Sequence, residues 1–132
     1  LCGLAGLRLG FVIVEPEIIA ALREMIGPWE VSGPALAIGS LAQEDREWAA
    51  RTQARFHRDA ARLDTLARNA GLTPLGGTPL FRLYQTEHAA QVQERLARRK
   101  IWTRCFPYAS DWLRLGLPGA ESDWARLESA LA

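Results

Sequence analysis

Lysine is almost missing from this chain: Lys100 stands alone against fifteen arginines. We read that imbalance, together with abundant alanine, as coding bias rather than function. Cysteine is nearly absent too. Cys2 and Cys105 are far apart and form neither a metal-type spacing nor a disulfide framework, so a reducing cytoplasm and no bound metal are expected. The two histidines, His57 and His88, have no third ligand or nucleophile at a useful spacing, and no chemistry is assigned to them. A charge excess of either sign is lacking, and the net charge of +1 argues against a nucleic-acid partner. Long apolar runs are absent as well. The opening run is interrupted by Arg8 and has no basic leader or small-residue cleavage site, which excludes a signal peptide and a membrane span. There is no internal repeat, heptad series, P-loop, zinc pattern or nucleophile elbow.

What remains is ordinary globular composition. With 48% apolar and 23% charged residues, 132 residues suffice for one domain with a real core but not for a two-domain enzyme. Leu, not Met, opens the chain, and we therefore expect truncation or processing.

Three glycines bracket one arginine in Gly3-Leu4-Ala5-Gly6-Leu7-Arg8-Leu9-Gly10, and the run continues as Phe11-Val12-Ile13-Val14. Glycine permits positive φ or close backbone approach. An arginine among apolar residues is rarely buried without a partner, and its rigid fork suits phosphate or carboxylate. Arg8 reads either as an anion ligand on a glycine-lined turn or as a strand-end side chain snorkelling to water.

Periodicity sets the expected elements. Leu7 to Val14 reads as a buried strand, and Glu15-Pro16-Glu17 opens a helix stopped by Gly27-Pro28. A long helical stretch runs from Pro34 to Asn69, with Gln43–Asp45 the expected bend; Trp48, Thr52, Phe56, Ala60, Leu63 and Ala67 mark its apolar side. After the turn Gly76-Gly77-Thr78-Pro79 come a strand over Leu80–Gln85 and a helix from Thr86 to Arg99. Strands over Ile101–Phe106 and Trp112–Leu117 follow, then a helix over Ser122–Leu131. This β-α-β-β-α order predicts an α/β sandwich with helices on one side of a sheet. Alternation puts Trp112 and Arg114 on one face and Leu113, Leu115 and Leu117 on the other. From pattern alone Arg114 reads more readily as an edge-strand arginine than as a ligand. Arg98-Arg99-Lys100 reads as cations at a helix C-terminus.

Gly3-Leu4-Ala5-Gly6-Leu7-Arg8 resembles the segment that follows the Schiff-base lysine in fold-type I pyridoxal-phosphate enzymes of the histidinol-phosphate aminotransferase-like group. There the lysine precedes two variable residues, here Leu1 and Cys2, so it would fall one place before Leu1. Lys100 cannot take that role by position. Gly27-Pro28-Trp29-Glu30-Val31, Gly76-Gly77-Thr78-Pro79-Leu80-Phe81-Arg82-Leu83 and Leu115-Gly116-Leu117-Pro118-Gly119 are similar to the threonine-phosphate decarboxylase branch of cobalamin biosynthesis. The resemblance covers nearly the whole chain. It implies the C-terminal part of a fold-type I enzyme: residues 1–32 as a remnant of the large cofactor-binding domain, and residues 33–132 as a long connecting helix and a small α/β sandwich domain.

The resemblance also implies pyridoxal phosphate as cofactor, with Arg8 on its phosphate, and a phosphorylated amino acid as substrate. Arg114 would hold the substrate carboxylate and Arg104 a second anion, the substrate phosphate. It further implies a homodimer in the complete enzyme, and a chain that is inactive alone for want of the lysine. An aminotransferase of the same fold, such as one acting on histidinol phosphate, is the alternative. A non-catalytic helical interaction module is the reading from a different class.

Overall fold

The computed structural model describes residues 4–132; Leu1, Cys2 and Gly3 of the opening motif lie outside the described residues. The chain divides into two compact units, Leu1–Arg51 and Thr52–Ala132.

In the first unit, Ala5–Leu7 form one 3-10 turn that Arg8 closes in the left-handed region, at φ 53° and ψ 32°. The strand expected over Leu7–Val14 does not form, and residues 8–15 have no regular structure. A strand exists only as a member of a ladder, whose neighbours take up its N–H and C=O groups. All four strands of the described residues lie in the second unit. Phe11 and Ile13 are accordingly 68% and 97% exposed.

Helix α1, Pro16–Ile26, begins as the sequence predicts, with Pro16 in the first turn and Glu17 near the positive end of the dipole. Gly27 ends it at φ 78°, donating its N–H to the Arg23 carbonyl at 2.9 Å. Helix α2, Gly33–Glu44, is capped by Ser32, whose hydroxyl accepts from the Ala35 N–H at 3.3 Å. The expected bend is a true break. Asp45 leaves helical geometry, and its carboxylate accepts from the Trp48 N–H at 2.9 Å, starting helix α3, Arg46–Asn69.

The second unit holds strands β1 (Thr73–Gly77), β2 (Phe81–Gln85), β3 (Arg104–Phe106) and β4 (Ala109–Gly116), with helices α4 (Ala89–Arg98) and α5 (Glu121–Leu131). The sheet is wholly antiparallel in the order β1-β2-β4-β3. Strand β1 was not expected, because Gly76-Gly77 reads as a turn. Both glycines are instead in the strand at φ 139° and 126°, conformations that L residues rarely adopt. A side chain at Gly77 would collide with the Phe81 carbonyl, so the ladder with β2 needs glycine there. The turn itself is Thr78 to Phe81, closed by the Thr78 N–H donating to the Phe81 carbonyl at 3.0 Å.

Helix α4 starts later than expected, at Ala89 with His88 as its cap residue, and Thr86 only accepts a 3.4 Å bond from the His88 N–H. Strand β3 is shorter and β4 longer than the apolar runs suggest. The two-residue turn Pro107-Tyr108 brings polar Ser110 and Asp111 into the ladder. The observed order is therefore β-β-α-β-β-α.

One face of the sheet is covered. Tyr84, Leu113 and Leu115 pack with Leu63 and Ala67 of α3, Leu96 of α4, and Trp124 and Leu127 of α5 in one buried cluster. Asp64 is buried on the same stripe of α3. The Arg82 side chain donates to both of its oxygens, at 3.0 and 2.7 Å, and the Tyr84 hydroxyl donates to Oδ1 at 2.8 Å. Burial alone would raise the pKa of this carboxyl. The hydrogen bonds from Arg82 and Tyr84, with the Arg82 charge, outweigh it and hold Asp64 below the ordinary carboxylate range. Burial, then the bond to Asp64, pushes the Tyr84 phenol well up.

Because the folded Asp64 pKa is depressed, its stabilising contribution is present above the unfolded value of about 3.9 and drains as the pH falls through the folded value. Asp64→Ala should cost about 3 kcal/mol, since it strands Arg82 and the Tyr84 hydroxyl. In urea melts followed by circular dichroism from pH 6 down to pH 2, wild type should lose stability more steeply than Asp64→Asn. Parallel acid profiles would contradict this account of the triad.

Candidate functional site

The uncovered face of the sheet carries the chemistry. Fixing Arg82 and Tyr84 against α3 turns Phe81, Leu83 and Gln85 to the other side. Strand β4 pairs with β2 so that Leu113 and Leu115 face the core opposite Tyr84 and Arg82. Trp112, Arg114 and Gly116 then share the open face, opposite Gln85, Leu83 and Phe81. On its other side β4 pairs with β3, and there Arg104 stands directly across from Arg114.

The structure thus brings together two of the three arginines singled out in the sequence. Arg104 and Arg114 line one pocket of about 540 Å³ with Phe81, Trp102, Thr103 and Gly116. Like charges directly opposed on a sheet destabilise it. Among the described residues, no carboxylate lies within salt-bridge distance of either guanidinium. Each instead sits over an aromatic ring, Arg114 over Phe81 at 4.7 Å and Arg104 over Phe106 at 5.3 Å. Trp112 meets Phe106 edge-on at 6.4 Å, and Tyr108 joins both rings at 5.4 and 6.3 Å. The Gln93 side chain of α4 donates to the Thr103 carbonyl at 3.0 Å, bracing the approach to β3. Two unpartnered cations in one pocket make a site for an anion, or for one molecule with two anionic groups.

Sequence reasoning missed Phe81, whose place beside Arg114 depends on strand register, and Phe106, whose spacing of two from Arg104 on one strand was a usable signal. A signal did exist for Asp64, an acidic residue on the apolar stripe of Ala60, Leu63 and Ala67.

Arg8 belongs to the other unit. Its side chain is exposed, with no carboxylate partner among the described residues, and its own backbone takes the positive φ that the neighbouring glycines were expected to supply. An arginine in this region costs about 1–2 kcal/mol, offset in part by the Arg8 N–H donating to the Ala5 carbonyl as it closes the 3-10 turn. Lys100 follows α4 in the second unit, also at positive φ, with its N–H donating to the Ala97 carbonyl at 2.8 Å. Cys105 points to the covered side, where burial raises its thiol pKa. No group of three or more potential metal ligands occurs among the described residues, and no described helix is long and apolar enough to cross a membrane.

Phosphate should stabilise the chain more than chloride at matched ionic strength, because an anion that binds the folded state alone raises its stability by mass action. Arg104→Gln and Arg114→Gln should each shrink that difference in thermal melts. An equal phosphate effect in all three proteins would place the anion elsewhere.

The model of the family "Aminotransferase class I and II" matches residues 2–131. A threonine-phosphate decarboxylase from Sinorhizobium sp is 48% identical over 132 residues, covering 98% of this chain and 38% of that protein. One from Pseudomonas aeruginosa is 42% identical over 129 residues, covering 98% of this chain and 39% of that protein. A histidinol-phosphate aminotransferase from Symbiobacterium thermophilum is 34% identical over 103 residues, covering 77% and 28%. A crystal structure from Burkholderia pseudomallei, described as a candidate aminotransferase, superposes with a TM-score of 0.80 at 26% identity, covering 98% of this chain and 41% of that one. The chain therefore spans about two fifths of the length of the decarboxylases it matches. With an α/β fold of this kind and a family match along its length, the chain belongs to the class I and II aminotransferases, as a C-terminal portion of that fold.

Proposed function

We propose that this chain is the C-terminal part of a pyridoxal-phosphate enzyme that decarboxylates threonine O-3-phosphate to aminopropanol phosphate, a step toward the cobalamin side chain. In this reading residues 1–32 belong with the large cofactor-binding domain, and residues 33–132 are the connecting helix and small domain. The complete enzyme is a cytoplasmic homodimer. The observation that carries the reading is the cross-strand pair Arg104 and Arg114, free of carboxylates and lining one pocket. The substrate carries two anionic groups, and the 48% and 42% identities to decarboxylases favour it over histidinol phosphate.

The chain's own residues fit the cofactor phosphate at Arg8. The guanidinium is exposed and unpartnered among the described residues, and a Cβ placed on Gly6 or Gly10 would meet nothing within 4 Å. A phosphate oxygen could therefore approach the backbone on either side of it. When bound, pyridoxal phosphate would supply the sink for the electron pair left as carbon dioxide departs.

The protein's part is binding and orientation. Arg114 would grip the substrate carboxylate with its bidentate fork and hold it in one direction, while Arg104 would take the phosphate at the far end of the molecule. Arg114 orients the group that leaves; tighter pairing of that carboxylate in the ground state would not by itself speed its loss. The phosphate contact at Arg104 is remote from the reacting bond, so its binding energy can be spent on that orientation. Arg8 would hold the cofactor at its own phosphate.

The test is a full-length protein carrying this chain, loaded with pyridoxal phosphate and given threonine phosphate with and without 2-oxoglutarate. Aminopropanol phosphate should form without an amino acceptor; an absolute need for the acceptor would favour the aminotransferase reading. Arg114→Ala should lower kcat/KM by roughly ten- to a hundredfold, the loss of one charge-assisted contact, while cofactor content stays unchanged. Arg8→Ala should instead lower cofactor retention on gel filtration. The 132-residue chain by itself should show no turnover, because its only lysine, Lys100, follows α4 and is remote in sequence from the place before the Gly3-Leu4-Ala5-Gly6-Leu7-Arg8 motif that the Schiff-base lysine would take. Turnover by this chain that survived Lys100→Ala would overturn that expectation.

A further inference from the structure

The two rings under the arginines are placed differently, and the difference has a consequence for selectivity. Phe81 on β2 pairs with Gly116 on β4, and its ring atoms lie 3.7 and 3.8 Å from the point a Cβ of Gly116 would occupy. The ring therefore lies against a bare stretch of β4, one step along the open face from Arg114, whose guanidinium sits over it at 4.7 Å. Arg104 is drawn the other way, over Phe106 on its own strand β3. With β4 between β2 and β3, the rings pull the opposed cations toward different strands.

A ring face attracts a guanidinium without offering a lone-pair acceptor in the plane of its N–H groups, so the edge of the fork stays open for a carboxylate. A neighbouring Asp or Glu would have filled that edge. We propose that Phe81 is a positioning residue that holds Arg114 edge-open for the carboxylate of the substrate, and thereby makes the pocket discriminate an amino-acid phosphate from a phosphate monoester lacking the carboxylate. This inference rests on the reading of Arg114 as the carboxylate ligand. It concerns binding selectivity, with Phe81 acting through the guanidinium of Arg114.

The experiment compares O-phosphothreonine with aminopropanol phosphate, which differs only by the missing carboxylate. Binding to the chain is followed by nuclear magnetic resonance at the arginine Nε–H signals. In wild type, O-phosphothreonine should move the signals of both Arg104 and Arg114, whereas aminopropanol phosphate should move Arg104 alone. In Phe81→Leu the Arg114 signal should lose its ring-current displacement. Affinity for O-phosphothreonine should fall about three- to tenfold, the worth of one cation–π contact, with affinity for aminopropanol phosphate unchanged. Phe81→Tyr keeps the ring and should restore the wild-type difference; it also serves as the test should the leucine variant fail to fold.

Unchanged discrimination in Phe81→Leu, an equal loss for both ligands, or discrimination lost in Phe81→Tyr would each overturn the inference. If wild type itself left the Arg114 signal unmoved by O-phosphothreonine, the carboxylate reading of Arg114 would fail first and take this inference with it. That outcome is separate from any result in the variants.

Discussion

The open face of the sheet depends on one buried contact, the Asp64 carboxylate held by Arg82 and Tyr84. Side chains alternate along a strand with period two, so a slip of one residue would exchange every inward and outward position. Asp64 accepts hydrogen bonds from two residues of the same inward face, two apart on β2, and no slipped register satisfies both. Strand β2 is thereby fixed with Phe81 and Leu83 outward. The pairing of β2 with β4 then fixes Arg114 outward, and the pairing of β4 with β3 sets Arg104 beside it. The placement of the pocket thus follows from a carboxylate on its opposite side.

That arrangement costs stability. A buried ion pair roughly breaks even against apolar packing, and its better-attested value is in specifying one arrangement over others. Two opposed arginines without counter-ions then add a repulsion that no contact of the fold requires. The aromatic faces of Phe81 and Phe106 offset part of it, as do the solvent and salt that reach an open sheet face. A fold chosen for stability alone would place a glutamate across from one of these arginines, as the exposed helix faces do with Arg55 and Asp59 or Arg62 and Glu121. The local mark of a site is the pair itself: Arg104 and Arg114 directly opposed on neighbouring strands, with no carboxylate of the described residues within salt-bridge distance of either.

Much of this was legible in the sequence where the signal is local. The helices over Pro16–Ile26 and Glu121–Leu131, and the break at Asp45, follow from proline, cap residues and period. The facing of Arg114 follows from alternation in β4. What failed was what a neighbour decides. Leu7 to Val14 has the composition of a buried strand, but no ladder partner stands beside it among the described residues, and it remains irregular and exposed. Thr73–Gly77 has the composition of a turn, yet β2 supplies a ladder that only glycine backbone at Gly77 can approach. Arg104 was nameable from the family resemblance, but its place opposite Arg114 is a matter of register between strands, which no single strand encodes.

The two units of the chain differ in how completely their own residues explain them. In Thr52–Ala132, the apolar stripes of three helices meet one sheet face, and all four strands pair in one sheet, with register shifts only at Pro74/Gly76 and Cys105/Phe106. In Leu1–Arg51, α1 opens at Pro16 and ends at Gly27 and α2 opens at the Ser32 cap, while Phe11, Ile13, Met25 and Trp29 stand exposed. Caps and propensity are properties of a few neighbouring residues and act wherever the segment is placed. Burial is a property of what lies across from it. The opening segment therefore has its local structure written within it, and an apolar surface that no described residue covers.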